Sequence, residues 1–154
     1  MQLLLIRHAH ALDGDDDTAR PLSPRGRKQV RALARCLKRA GVFDAGEIWH
    51  SPLVRARDTA ALLAQRLGTR AKLVEMDGLA PCDDPAAVAA RVRHRGQSLA
   101  IVGHEPHLSA LASLLVAGAA APAVFTLRKC SALALGREDR RWTVRWLVSP
   151  DLLQ

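Results

Sequence analysis

Leu3-Leu4-Leu5-Ile6-Arg7-His8-Ala9-His10 decides how this chain is read. Four apolar residues in a row, bounded by polar ones, describe a strand buried on both faces of a sheet. Such a strand delivers Arg7 and His8 to its carboxyl end, and ligands of open α/β sheets bind in the crevice beyond those ends. A guanidinium forks onto two phosphate oxygens, and a neutral imidazole is a nucleophile. The pair therefore suits attack by His8 on phosphorus while Arg7 holds the phosphoryl group. Taken alone, the dipeptide also allows Arg7 to pair with an acid and His8 to be a hydrogen-bonded structural histidine.

The same pattern recurs further on. Ser98-Leu99-Ala100-Ile101-Val102 reads as a second buried strand, and it ends in Gly103-His104-Glu105-Pro106-His107. Glu47-Ile48-Trp49-His50 reads as a strand followed by Ser51-Pro52, which start a helix with Arg55 in its first turn, where backbone and side-chain donors suit an anion. Between these lie an acidic turn-rich loop over Asp13 to Asp17, read as solvated, and a helix from Pro24 to about Ala40. That helix has Ser23 as N-cap, Gly41 as its stop, and an apolar stripe of Val30, Leu33, Ala34 and Leu37. Lys72–Glu75 is a short strand, 76–85 a loop, Pro85–His94 a helix and Pro106–Ala117 another. Three final strands, about Val124–Leu127, Ala132–Leu135 and Trp142–Leu147, complete the sheet in antiparallel fashion. Strands alternating with helices predict a three-layer α/β/α fold with a mixed, mostly parallel central sheet. No repeat or linker divides residues 1–154, so one domain is expected.

A chain of 154 residues with 49% hydrophobic and 25% charged residues can bury a real core and is not a disordered composition. No apolar run approaches a membrane span, and nothing at the start reads as a secretory signal. Cys36, Cys82 and Cys130 are widely spaced and form no C-x-x-C, which fits a reducing cytoplasm better than a disulfide framework or zinc knuckle. A formal charge of +8 favours an anionic partner. With only 3% aromatic residues, the chain offers no extended stacking platform for nucleic acid, which is the weaker option. The basic face of the helix after Pro24 is an ordinary solvated face or a dock for an acidic partner.

Three strand-to-helix junctions thus carry Arg7-His8, Arg55 and His104. In a parallel sheet they open on one edge. These residues resemble the histidine phosphatase superfamily, of phosphoglycerate-mutase-like fold: Arg7-His8-Ala9 stands for its Arg-His-Gly opening, Ser51 to Ala60 for its Ser-Pro-Leu-x-Arg-Ala-x-x-Thr-Ala segment, and Gly103-His104 for its late Gly-His. The short length, Arg20-Pro21-Leu22-Ser23, Gly103 to His107 and Ser149-Pro150 resemble more closely the SixA-type phosphohistidine phosphatases. The resemblance implies a phosphoenzyme at His8, with Arg7, Arg55 and His104 binding the phosphoryl oxygens and Arg20 at the pocket rim. It implies neither metal nor cofactor, a monomer, a phosphate or sulfate in the pocket, and a phosphohistidine-bearing signalling protein as substrate.

Ala9 replaces the family's glycine, so a torsion reserved for glycine is either not needed here or the turn differs. The family's usual carboxylic acid for an alkoxide leaving group has no clear counterpart in the segment Met76 to Asp84, though Asp77, Asp83 and Asp84 are possible acids. An imidazole leaves more easily than an alkoxide, so the missing acid and the missing enclosing insertion favour phosphohistidine on a protein. His10 either touches substrate or borders the pocket, and bordering is favoured. His107 is expected to be structural. Three alternatives remain. They are a general phosphomonoesterase, a phosphoprotein-binding module without turnover, and a metal hydrolase using His8-x-His10 with His104-x-x-His107, which the neighbouring arginines oppose.

Overall fold

The alternation within Leu3–Ile6 sets the layers. In the computed structural model, which describes residues 1–153, Leu4 and Ile6 face one hydrophobic cluster while Leu3 and Leu5 face another. All four are fully buried, and each such side chain contributes about 1.5–3 kcal/mol relative to exposure. They belong to β1 (Gln2–Arg7), which lies near the middle of a six-stranded sheet. β2 (Glu47–His50), β3 (Lys72–Glu75) and β4 (Leu99–Gly103) run parallel to it, while β5 (Ala132–Glu138) is antiparallel to β1 and forms a hairpin with β6 (Arg141–Val148). The spatial order is β3-β2-β4-β1-β5-β6.

Helices α1 (Pro24–Ala40) and α2 (Val54–Leu67) cover the face carrying Leu4 and Ile6. Helices α3 (Pro85–Arg93) and α4 (His107–Ala117) cover the other. This is the three-layer α/β/α architecture with a mixed, mostly parallel sheet. Ser23 caps α1 by accepting from the Gly26 amide at 3.0 Å, and Gly41 closes it at φ 65° in the left-handed region. Gly26 has a second duty. A Cβ there would lie 2.0 Å from the His10 carbonyl oxygen, so only glycine lets α1 press against the loop leaving β1. No helix among the described residues is long and apolar enough to cross a membrane.

Two expectations need correction. Val124–Leu127 is no strand: β5 already occupies that side of β1. The segment's backbone is used by side chains instead, the Val124 amide donating to Ser113 Oγ at 2.9 Å and the Leu127 carbonyl accepting from Arg7 at 2.9 Å. The helix expected from Ser51-Pro52 begins at Val54, with Leu53 in the cap position and no side-chain cap. The buried Ser51 hydroxyl instead lies 2.9 Å from His104 Nε2.

Candidate active site

Strand register brings the first junction together with the last. Arg7 lies opposite Gly103 across β1 and β4, and the His8 amide donates to the Gly103 carbonyl at 2.9 Å. The His8 and His104 rings therefore sit side by side, centroids 5.0 Å apart and planes 52° from parallel. His8 Nδ1 lies 2.7 Å from the Ala9 carbonyl. Because that carbonyl can only accept, the pattern assigns the proton to Nδ1 and leaves Nε2 with its lone pair, the form a nucleophile needs. Ala9 keeps a negative φ, so the glycine torsion is not required at this turn. Its amide donates to Thr59 Oγ1 at 3.0 Å, and that hydroxyl donates to the Arg55 carbonyl at 2.7 Å. One buried threonine on α2 thus fixes both the turn after His8 and the residue that carries the second guanidinium.

His104 is held from the other side. Its Nε2 lies 2.9 Å from Ser51 Oγ, and that oxygen accepts from the Leu53 amide at 3.2 Å. With an amide hydrogen on one of its lone pairs, the hydroxyl still has its own proton to give to Nε2. When it does, the His104 proton sits on Nδ1, which is buried without a partner in the chain. Burial is the main reason both imidazoles fall far below their ordinary range, His8 to about 3 and His104 to about 4, and the positive fields of Arg55 and Arg7 add to it. Both rings are neutral at pH 7.

The structure brings Arg7, His8, Arg55 and His104 into one cluster at the carboxyl edge of the sheet. Arg7 gives one terminal nitrogen to the Leu127 carbonyl at 2.9 Å, while its Nε is buried and unpaired. Arg55 is anchored by Asp17, whose main-chain carbonyl accepts at 2.6 Å and whose carboxylate accepts at 3.1 Å. This corrects the reading of Asp13 to Asp17 as merely solvated. Asp16 caps a short 3-10 turn, Asp17–Ala19, and that turn presents Asp17 to a guanidinium whose side chain is only 6% exposed. Arg20 and Arg55 together hold the Asp17 carboxyl below its usual range, so it stays ionised. Arg20 points to the loop, donating to Asp17 at 2.9 Å and to the Leu12 carbonyl at 2.8 Å. It steadies the residue that steadies Arg55.

His10 is bound to the α1 cap: its Nδ1 lies 2.8 Å from Ser23 Oγ and its amide donates to Gln29 at 2.9 Å. Asp83 accepts from the Ala80 amide at 2.7 Å, Asp84 caps α3 through the Ala86 amide at 2.9 Å, and Asp77 is exposed. His107 opens α4, buried, with neither ring nitrogen partnered. Among the described residues no group of three or more His, Cys, Asp or Glu side chains is gathered closely enough to hold a metal ion. The sequence reading missed three residues that hold the cluster, Ser51, Thr59 and Asp17, and a cation in its field, Lys129. Lys129 is half-buried and feels Arg7, Arg20 and Arg25. Ser51 and Thr59 lie inside the Ser51–Ala60 segment that carried the resemblance, so a signal was there; for Lys129 there was none.

A model of the histidine phosphatase superfamily (branch 1) matches residues 3–83. Phosphohistidine phosphatase SixA of Escherichia coli (strain K12) is 29% identical over 155 residues, 97% of this chain and 94% of that protein. An uncharacterized protein of Picosynechococcus sp. is 34% identical over 126 residues, 77% of this chain and 74% of its own. Among solved structures, the protein histidine phosphatase SixA complexed with tungstate superposes with a TM-score of 0.91 at 26% identity, over 100% of both chains.

Proposed function

Since the chain belongs to the histidine phosphatase superfamily, branch 1, and is a phosphatase of the SixA type, we propose that its substrate is phosphohistidine on a protein. The observation that carries this reading is the pairing of two neutral, differently held imidazoles with two guanidiniums around one point at the sheet edge. His8 Nε2 attacks phosphorus in line, its new N–P bond forming as the bond from phosphorus to the substrate imidazole breaks. The departing nitrogen takes a proton from solvent. Arg7, Arg55 and the Nδ1–H of His104 hold the equatorial oxygens, where preorganised donors contribute most to phosphoryl transfer. Water then attacks the phosphorus of the His8 adduct, releasing phosphate and restoring the free imidazole. Guanidinium charge does the neutralising, so the reaction as drawn uses no metal. A tungstate-bound relative supports an oxyanion in the pocket.

The acid–base setting supports the choice of leaving group. Asp17, one carboxylate beside the cluster, is held ionised by two guanidiniums and is a poor proton donor to an alkoxide. An imidazole departs with weaker help. The chain would act as a monomer in the cytoplasm, where its three unpaired cysteines stay reduced.

The test is a panel of phosphohistidine proteins and phosphate esters given to the parent and to His8→Ala. The parent should release phosphate from the protein phosphohistidine at least about tenfold more efficiently than from sugar phosphates. His8→Ala should lose more than about a thousandfold in turnover while still binding the phosphoprotein. Brisk clearance of sugar phosphates with phosphohistidine proteins left untouched overturns the substrate; turnover by His8→Ala overturns the nucleophile.

A further inference from the structure

Between Pro24 and Ala40, α1 carries seven basic residues and no acidic one. All seven are exposed, and among the described residues none makes an ion pair. That is costly for a helix in two ways. Arg25 and Arg27 stand in the first turn, at the positive end of the macrodipole, where anions are favoured and cations opposed. Lys28, Arg31 and Arg35 then follow at spacings of three and four, where like charges repel. By contrast, α2 sets its exposed Arg57 beside Asp58. Helix formation explains none of this; an external anion would.

The positive stripe also has a shape and a starting point. Arg25, Lys28, Arg31 and Arg35 line one wall of a groove of about 540 Å3, whose other wall is the C-terminal 3-10 turn at Pro150, Asp151 and Leu153. Asp151 is already committed to Arg128 at 2.8 Å, so among the described residues no acid pairs with the arginines of α1. Arg25, which lines the groove, lies at the start of α1 and within the field felt by His10, two residues after His8. Gly26 abuts the His10 carbonyl, and Arg25 lies within the electrostatic reach of Lys129, which in turn feels Arg7 and Arg20. From Arg25 to Arg35 the stripe extends about 15 Å along the helix.

We propose that this groove docks an acidic segment of the phosphohistidine-bearing protein, seating it so that the phosphorylated imidazole enters the mouth at Arg7 and His8. The inference rests on the substrate reading above and adds to it a partner of stated charge. A concave cleft fits a protein segment better than a flat bilayer, and no aromatic side chain lines it on which a nucleic-acid base could stack. Rim charges of this kind act on encounter and on salt dependence, leaving the chemical step alone.

The experiment uses two carrier proteins of opposite net charge, each with one exposed histidine phosphorylated by phosphoramidate, together with free phosphohistidine. The parent is compared with Lys28→Glu/Arg31→Glu/Arg35→Glu and with the Gln triple at the same positions, both checked by thermal unfolding. For the acidic carrier, KM should rise about thirtyfold in the Glu triple and several-fold in the Gln triple, with kcat unchanged. The parent's KM for that carrier should climb steeply with salt, and the Glu triple's should not. Free phosphohistidine should be turned over alike by all three.

Equal KM values in parent and triples overturn the inference while leaving the substrate reading intact. A matching loss on free phosphohistidine also overturns it, since the site itself would then have been disturbed. If the parent fails on every phosphohistidine substrate, the substrate reading has failed and this inference with it. If the triples lose binding only to phosphatidylserine vesicles or to a single-stranded RNA, the groove serves another polyanion and the proposal falls.

Discussion

His8 and His104 stand at the carboxyl ends of adjacent parallel strands, and burial drives both to the neutral form, at about 3 and about 4. Yet the chain grips opposite nitrogens. His8 is held at Nδ1 by a carbonyl, which frees Nε2 as a lone pair. His104 is held at Nε2 by a hydroxyl that can donate, which frees Nδ1 as a donor. Position in the sheet makes both rings neutral; the local partner then separates attacker from oxyanion holder. The pair therefore divides its labour although both rings are buried at equivalent ends of neighbouring strands.

The division is broken most sharply at His104. His104→Gln keeps a donor but loses the ring, and turnover of a phosphohistidine protein should fall about a hundredfold, the scale for losing one oriented oxyanion donor. The His8 phosphoenzyme should still form, only more slowly, and be trapped by a quench in base, where a phosphoramidate bond survives. If His104→Gln abolishes the trapped adduct as completely as His8→Ala does, the two imidazoles are not divided as described.

The supports give a smaller and more discriminating contrast. Thr59→Val removes the acceptor of the Ala9 amide in a fully buried position, so the turn that sets the His8 tautomer loses its anchor. It should cost about 1–2 kcal/mol of stability and about tenfold in kcat. Ser51→Ala frees Nε2 of His104 and leaves β1 alone; kcat should drop a few-fold, with the pH profile shifted and stability nearly unchanged. Urea titrations and steady-state kinetics on both variants separate the cases. Equal effects would mean that the two junctions share one support.

How much of this was legible depends on how local each cause is. Leu3–Ile6 could be read because a strand covered on both faces needs nothing beyond its own apolar run, and Ser23-Pro24 because a helix cap is a matter of neighbouring residues. Ser51 was misread for the same reason: Ser-Pro has the form of a helix start, and only the partner 53 residues away, His104, shows where the hydroxyl goes. Thr59 has its partner 50 residues away at Ala9. Asp17 belongs to a run of aspartates, where solvation is the ordinary fate, and its contact with Arg55 spans 38 residues. Val124–Leu127 has the β-branched and aromatic composition of a strand, but β1 had no free edge to offer it. Residue types thus foretold the chemistry, whereas long-range hydrogen bonds, which leave no periodic trace, set the orientation of each reacting group.

The smallest effect tests what the two rings have in common. Both are lowered on folding from an ordinary 6.5, so between about 6.5 and their folded values the unfolded chain binds more protons than the folded one. Stability is then complete above about pH 6.5 and declines as pH falls toward 4, by up to about 1.4 kcal/mol per pH unit for each histidine. His104→Gln removes one of the two, so its unfolding free energy should depend on pH less steeply than the parent's by about one proton between pH 6 and 5. Urea unfolding at those two values measures the slope, and imidazole resonances in NMR should show neither ring titrating above pH 5. A parent and variant with the same slope would mean that His104 takes up its proton as readily folded as unfolded. Burial would then not be what keeps that ring neutral, and its role as a fixed Nδ1 donor would have to come from the Ser51 contact alone.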